Sequence, residues 1–142
     1  MLVGIDAAAG LSPSCYIQGG GKIVIGDYTQ IGPNLGIISS NHDPYDNSMS
    51  VPGEVLIGDY CWIGMGSVVL PGITLGDHTV VGAGSLVTKS FPEGYCVLRG
   101  NPARKTMDLD PEKYIKATND NEYIGYIPKY KFESYRQKNL KI

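Results

Sequence analysis

The two histidines are the side chains best suited to proton transfer near neutral pH, because the charge of an imidazole changes in that range. His42 lies in the polar stretch of residues 39–44 (SSNHDP), and His78 lies in residues 76–79 (GDHT) of a repeated segment. A histidine in a polar loop either acts as a base or only hydrogen-bonds its own loop, and the residues alone leave both uses open. We expect His78 to face solvent at a tight corner of the repeat and to have no chemical role, since such a corner offers no pocket.

The three cysteines, Cys15, Cys61 and Cys96, are an odd number without a CxxC spacing. This pattern argues against a disulfide framework and against a zinc knuckle. We therefore expect free thiols. We also expect Cys61 to point into the core, where a thiol lacks the exposure that a nucleophile needs.

The composition indicates one ordinary domain of nearly neutral charge. The 142 residues carry a formal charge of −2, which gives no bulk attraction to nucleic acid or to an anionic membrane. Glycine is abundant, at 19 residues, and a helical bundle is therefore disfavoured. We find neither an apolar run of the roughly 18 residues that cross a bilayer nor an N-terminal secretory signal, and we expect a cytoplasmic protein.

An internal repeat with a period of six runs through most of the chain. This period matches neither a helix nor an alternating strand. It is typical of a triangular prism in which three six-residue units make one coil of about 18 residues, and the coils stack as parallel strands. One aliphatic side chain per unit points inward, as at Ile57, Ile63, Val69, Leu75, Val81 and Val87. The second inward position needs a small residue, which Cys61, Ser67, Thr79 and Ser85 provide and Ile73 does not.

Units such as IGDYCW, IGMGSV and LGDHTV resemble the hexapeptide repeats of left-handed parallel β-helix acyltransferases, over residues 5–105. The resemblance implies an all-β fold, a left-handed parallel β-helix of about five triangular coils with a long loop at residues 38–56. The left hand comes from the resemblance alone, because parallel connections are generally right-handed. We expect a β-helix domain over residues 1–105 and a C-terminal helix and tail over residues 106–142.

The C-terminal part differs in character, since 18 of the 19 glycines precede residue 105. Asp110 as a cap, Pro111 at the first helical position and an acidic first turn predict a short helix over residues 110–118, which would cover the open end of the prism. Beyond it, tyrosines alternate with lysines and favour an extended tail packed on protein over a nucleic-acid surface. These tyrosines are Tyr123, Tyr126, Tyr130 and Tyr135.

Residues 25–34 (IGDYTQIGPN) followed by His42 are similar to a segment of the sugar O-acetyltransferases that act on maltose, galactosides and capsular polysaccharides. The resemblance implies that His42 is the catalytic base, which takes the proton of a hydroxyl as its oxygen attacks the thioester of acetyl-CoA. Asp43, Asp46 and Glu54 are candidates to orient His42. Acceptor-binding candidates are Gln18, Asp43 and Trp62, and Trp62 should point outward, toward the acceptor or a neighbouring subunit.

Residues 82–89 (GAGSLVTK) and 100–104 (GNPAR) are similar to the acetyl-CoA segment and the closing signature of the same family. The resemblance implies that backbone groups of Met65 and Ala83 meet the pantetheine arm, and that Thr88, Lys89 and Arg104 lie near the nucleotide and its phosphates. Cations suit phosphates, which supports Lys89 and Arg104. The resemblance also implies a homotrimer with sites between subunits.

Three alternatives remain open. The first is an N-acetyltransferase for an amino sugar or a xenobiotic, and the second is a β-helix scaffold without catalysis. The third is a zinc hydratase on the same prism, which is disfavoured because that family uses three histidines and this chain has two. We therefore expect no metal site, no nucleic acid and no membrane insertion, and the acceptor stays unidentified.

Overall fold

The computed structural model describes residues 1–9, 11–124 and 127–139, and short strands dominate it. Within these ranges the helical segments are one 3-10 turn, Pro111–Lys113, and one α-helix, α1, Lys129–Asn139. The strands in chain order are β1 Leu2–Val3, β2 Tyr16–Gln18, β3 Lys22–Ile25, β4 Gln30–Ile31, β5 Gly36–Ile38, β6 Ser40–His42, β7 Ser50–Pro52, β8 Glu54–Ile57, β9 Trp62–Ile63, β10 Val68–Val69, β11 Ile73–Leu75, β12 Val80–Val81, β13 Leu86–Val87, β14 Cys96–Arg99, β15 Arg104–Asp108, β16 Tyr123–Ile124 and β17 Ile127–Pro128.

Three sheets form the three faces of a prism. The first face is β1-β3-β8-β11 and the second is β2-β5-β10-β13, both wholly parallel. The third face is β4-β9-β12-β14, with β15 antiparallel at its end. Because each coil adds one strand to each face, the chain winds as a parallel β-helix. Its fifth coil is partial and begins with a bridge between Leu75 and Phe91.

The core follows the period of six. The aliphatic residues predicted to point inward are all buried, from Ile57 to Val87. The four small inward residues, Cys61, Ser67, Thr79 and Ser85, are buried as well. Ile73, which does not fit the small-residue position, is also buried, within β11. Close stacking of the coils depends on glycine at some positions, because a Cβ added at Gly64 would lie 2.6 Å from the backbone nitrogen of Ala83.

The excursion predicted at residues 38–56 contains a β-hairpin. Its strands β6 and β7 pair antiparallel, with Ser40 opposite Pro52 and His42 opposite Ser50. The hairpin leaves the prism after β5 and returns at β8. His42 therefore lies on a strand of a hairpin whose two ends both join the prism.

Aromatic rings stack along the edge between the first and third faces. This aromatic edge consists of Tyr28, Tyr60, His78 and Tyr95, which share a left-handed backbone conformation with φ between 45° and 57°. Ring centroids lie 5.0 Å apart for Tyr28 and Tyr60, and 5.1 Å apart for Tyr60 and His78. Tyr114 covers His78 from outside, at 3.7 Å between centroids. The prediction that His78 faces solvent is wrong, because only 1% of this residue is exposed.

The chain beyond β15 runs back along the aromatic edge to the first coils. Glu122 accepts a hydrogen bond from the Tyr28 hydroxyl, which raises the pKa of Tyr28. Lys129 Nζ bridges Asp27 at 3.2 Å and Glu122 at 3.3 Å. The C-terminal part therefore packs against the prism of its own chain.

The C-terminal elements differ from the prediction in extent and place. Asp110 caps the turn as expected, since its side chain accepts from the Glu112 backbone nitrogen, but the helix predicted over residues 110–118 is only the turn Pro111–Lys113. The prediction of an extended tail is wrong for residues 129–139, which form α1. Tyr126 lies outside the described residues. The end of the third face is covered by β15 instead of a helix.

Over the described ranges, no helix has the length and apolar character needed to span a membrane.

Candidate functional site

The second face borders most of the predicted site residues. One of its long edges lies where its strands end and carries the hairpin. We call it the hairpin edge, and it includes Gln18, Ile38, Leu70 and Thr88. The opposite edge, which we call the glycine edge, precedes those strands and includes Pro33, Met65, Ala83 and Gly100. The sheet order places β13 two strands from β5, which is about 10 Å along the face.

His42 is exposed and its ring is held by the backbone of its own hairpin. The Nδ1 atom lies 2.8 Å from the carbonyl oxygen of Asn47. Because a carbonyl only accepts, Nδ1 carries the proton and the neutral ring presents its lone pair at Nε2. The hairpin therefore holds an imidazole in the tautomer that a general base requires.

None of the three carboxylates expected to orient His42 does so. Asp43 accepts from the backbone nitrogens of Tyr45 and Asp46, and so shapes the turn. Asp46 accepts from Ser48, which lowers the pKa of Asp46. Glu54 pairs with Lys22 at 3.5 Å on the first face. That prediction is wrong because the short turn brings a carbonyl, not a carboxylate, next to the ring.

Gln18 lies at the start of the hairpin edge and is half-buried. Its Oε1 accepts from both the backbone nitrogen and the hydroxyl of Ser40, each at 3.0 Å. Within the described chain, no acceptor is bound to its Nε2. The side chain is thus turned toward the base of the hairpin.

Three cations lie near the far end of the second face. Lys89 follows Thr88 on the hairpin edge, and both lie where β13 ends. Arg104 opens β15 opposite Arg99 of β14, and the preceding Ala103 donates its backbone N–H to Leu86 of β13 at 2.7 Å. Among the described residues, these three cations form no ion pair with a carboxylate. They are available to bind an anionic ligand.

Met65 and Ala83 are exposed neighbours on the glycine edge. They occupy equivalent positions in successive coils, since Ile63 pairs with Val81. The Met65 carbonyl accepts from the Gly84 nitrogen at 2.9 Å, so the two turns are joined by backbone. Small turns of this kind leave the backbone open to a ligand lying along the edge.

Trp62 points outward from the third face, as predicted, with 63% of the residue exposed. A recess of about 400 Å³ lies beside it and is lined also by Gln30, Ile31 and Gly32. His42 leaves the prism from another edge. Within one chain, the structure does not bring Trp62 to the hairpin.

Two features of the site are absent from the sequence prediction. The carbonyl of Asn47 gives no sequence signal, because every residue has one and only the turn decides where it points. Arg99 did give a signal, since it is one of four basic residues in the first 104 and precedes the GNPAR stretch. Its role as the partner of Arg104 depends on the antiparallel return of β15.

Comparisons with known proteins agree with this architecture. Residues 54–89 match the family model "Bacterial transferase hexapeptide (six repeats)". The chain is 36% identical over 117 residues to a galactoside O-acetyltransferase of Escherichia coli, covering 79% of this chain and 52% of that protein. The chain spans about half the length of the curated relatives that it matches.

Solved structures give the same result for the fold. A maltose O-acetyltransferase of Clostridium difficile has a TM-score of 0.56 and 28% identity, over 76% of this chain and 66% of that chain. A hexapeptide-repeat acetyltransferase of Vibrio cholerae, solved with acetyl-CoA, has a TM-score of 0.58 and 24% identity, over 75% and 70% of the chains. These likenesses confirm the predicted left-handed parallel β-helix. In its repeat and in its fold, the chain is similar to the hexapeptide-repeat transferases of bacteria.

Proposed function

We propose that the chain transfers the acetyl group of acetyl-CoA to a hydroxyl of a sugar or saccharide, with His42 as the general base. The observation that carries this proposal is the hydrogen bond from His42 Nδ1 to the Asn47 carbonyl. In the neutral ring this bond leaves the lone pair on Nε2, and the residue is exposed. The galactoside and maltose O-acetyltransferases among the relatives support a sugar hydroxyl as the acceptor.

The proposed reaction needs only one base. His42 Nε2 takes the proton of the acceptor hydroxyl while the hydroxyl oxygen forms a bond to the thioester carbon. The carbon–sulfur bond then breaks, and His42 returns the proton to the departing sulfur, so coenzyme A leaves as the free thiol. The products are an acetyl ester and free coenzyme A. No acyl-enzyme is required, which agrees with the buried position of Cys61.

The three cations at the far end of the second face are proposed to hold the phosphates of the donor. Lys89 and Arg104 were expected in this role, and Arg99 joins them as the register partner of Arg104. Charge-assisted hydrogen bonds to phosphate are among the stronger polar contacts. The proposal also places Thr88 near the nucleotide, and backbone groups of Met65 and Ala83 along the pantetheine arm.

The acceptor site is proposed to form between copies of the chain. Trp62 and His42 lie on different sides of one prism, so a neighbouring prism is needed to bring them together, and Asp43 lies beside His42 at this contact. A homotrimer, as the family resemblance implies, supplies that neighbour, and the cytoplasm supplies acetyl-CoA. A monomer at micromolar concentration in light scattering would contradict this arrangement. For Gln18, the two bonds that its Oε1 accepts from Ser40 favour a role at the base of the hairpin over acceptor binding.

The proposed activity is tested by the release of free coenzyme A from acetyl-CoA over a panel of sugars and amino sugars. Release should depend on an added hydroxyl acceptor, and His42→Ala should lower turnover by roughly 10² to 10⁴ without weakening acetyl-CoA binding. The loss should be smaller with an amine acceptor, if the chain is an N-acetyltransferase, because an amine needs less deprotonation.

Tyr45→Ala is a matched control. Tyr45 is 98% exposed at the tip of the same hairpin. This variant changes the hairpin surface without touching the imidazole, and we expect its turnover at saturating acceptor to stay near wild type. Equal turnover of His42→Ala and wild type would remove the proposed base. Absence of both turnover and acetyl-CoA binding would favour the scaffold alternative.

A further inference from the structure

The hairpin that carries His42 is attached to the first coil by two buried serines. Ser39 is fully buried, and its hydroxyl donates to the Gln18 carbonyl at 2.6 Å and accepts from the Gly21 nitrogen at 2.9 Å. Ser40 is 3% exposed, and its nitrogen and hydroxyl both donate to Gln18 Oε1. The Gln18 Oε1 atom therefore binds Ser40, which is the first residue of β6.

The glycines of the first coil let its backbone lie very close to both ends of the hairpin. A Cβ added at Gly20 would lie 2.3 Å from the Ser40 hydroxyl oxygen. A Cβ added at Gly21 would lie 1.9 Å from the Gly53 carbonyl oxygen and 2.4 Å from that of Ser39. Both ends of the hairpin are thus packed against the backbone that follows Gln18, and a shift of Gln18 is transmitted to the hairpin.

Ser40 and His42 lie on the same short strand, two residues apart, so their side chains project to the same side. A displacement of Ser40 is passed along this strand to the imidazole. Misplacement of a catalytic group by about 1 Å can cost up to about 10²-fold in rate. The placement of His42 therefore depends on the bonds that Ser40 makes.

We propose that Gln18 is a positioning residue for His42, which acts through the two hydrogen bonds from Ser40 to its Oε1. This role rests on the proposed function of His42. It differs from a direct contact with the sugar, which would use the free Nε2 atom as a donor, because the bonds to Ser40 are made by Oε1 alone. The Nε2 atom has no acceptor among the described residues, so a glutamate at this position keeps every bond that glutamine makes there.

The test compares Gln18→Leu, which removes the side-chain oxygen, with Gln18→Glu, which keeps an oxygen that can accept the two hydrogen bonds from Ser40. Ser40→Ala is a milder variant that removes only the hydroxyl bond. Gln137→Ala is the matched control. Gln137 donates to Glu133 on α1, so this variant removes a glutamine hydrogen bond that lies away from the hairpin. Each variant is measured by steady-state kinetics with acetyl-CoA and the sugar that gives His42-dependent release, and by amide hydrogen exchange of residues 40–42 and 50–52.

Gln18→Leu should lower kcat by about tenfold and leave the acceptor KM within about twofold, because the base is displaced while the acceptor contacts persist. Gln18→Glu should recover most of the lost kcat, Ser40→Ala should lose part of it, and Gln137→Ala should match wild type. The hairpin amides should exchange faster in Gln18→Leu than in wild type. Thermal unfolding identifies any variant that fails to fold, in which case Ser40→Ala carries the comparison.

A raised acceptor KM at unchanged kcat in Gln18→Leu would overturn the positioning role in favour of acceptor contact. Equal kcat losses in the leucine and glutamate variants would also overturn it, since the side-chain oxygen at position 18 would then have no effect on kcat. His42-dependent transfer that survives in Gln18→Leu refutes the role of Gln18 alone. Transfer that does not depend on His42 refutes the proposed function, and the role of Gln18 with it.

Discussion

Replacing His78 by phenylalanine should make the stability of the protein less sensitive to acid. His78 lies in the aromatic edge between Tyr60 and Tyr95, with Tyr114 over it, and its Nδ1 is buried without a partner among the described residues. Burial lowers the pKa of His78 below its usual value. Phenylalanine keeps an aromatic ring in the stack and removes the group that titrates.

The size of the effect follows from the difference in proton binding between the folded and unfolded states. Above the usual histidine pKa of about 6.5, the imidazole is neutral in both states and contributes no dependence on pH. Below it, the unfolded chain binds a proton that folded His78 resists, so stability falls as pH falls. The loss is at most about 1.4 kcal/mol per pH unit. Asp77 and Asp59 favour the charged ring and Lys116 opposes it, but burial is the largest influence.

Urea unfolding followed by far-ultraviolet circular dichroism, at fixed protein concentration and at pH 8, 6.5 and 5.5, measures this difference. Between pH 6.5 and 5.5, wild type should lose up to about 1 kcal/mol more than His78→Phe, since the unfolded histidine is already half protonated at pH 6.5. Tyr60→Phe is the control, because it alters the same stack and removes no imidazole. If His78→Phe and wild type lose stability equally over this range, burial of a neutral His78 is refuted.

Two further predictions concern the donor site and the thiols. Arg104→Ala should raise the KM for acetyl-CoA by about tenfold with little change in kcat, because it removes a charge-assisted contact to phosphate; Lys22→Ala is the control, and an unchanged KM in Arg104→Ala would remove its phosphate role. Alkylation at pH 7.5 followed by mass spectrometry should modify Cys15 in the native protein, and Cys61 and Cys96 only after unfolding. Burial raises the pKa of Cys61 to about 11 and also raises that of Cys96, so rapid native labelling of either would contradict their burial.

The prism could be predicted from the sequence because its constraint recurs in every coil. Each unit must supply one aliphatic side chain to a narrow interior, so the period of six is visible without knowing which strands pair. The same rule predicted that Cys61 points inward and that Trp62, its neighbour, points outward, and both are confirmed. A repeated constraint is easier to recognise than a single contact, since each coil repeats the evidence.

The position of His78 could not be predicted from its own unit, because its burial depends on distant residues. Its corner is open until Tyr114, from the returning C-terminal part, covers it. A partial signal was present, since Tyr60 and His78 are 18 residues apart (78 − 60 = 18) and so occupy the same corner in successive coils. Aromatic residues at such a spacing predict a stack along the edge, but not what covers it.

The C-terminal helix was misplaced because the capping signal specifies a start and not a length. Asp110 and Pro111 do begin a turn, but the residues after Lys113 leave the helical conformation as the chain follows the aromatic edge. Residues 129–139 have no glycine or proline and include the i,i+3 pair Glu133–Arg136, which supports a helix. The alternation of tyrosines with lysines indicates a tail and gives no sign of this helix.

The three edges of the prism have different physical demands, which explains why chemistry is proposed at only two of them. The aromatic edge is covered by the C-terminal part and contributes packing. The glycine edge carries no covering segment among the described residues, and Met65 and Ala83 are exposed there. The hairpin edge is the one at which the period is interrupted, so a longer segment can carry a side chain such as His42 away from the core. Because the second face lies between these last two edges, a ligand along it can meet backbone groups on one side and an imidazole on the other.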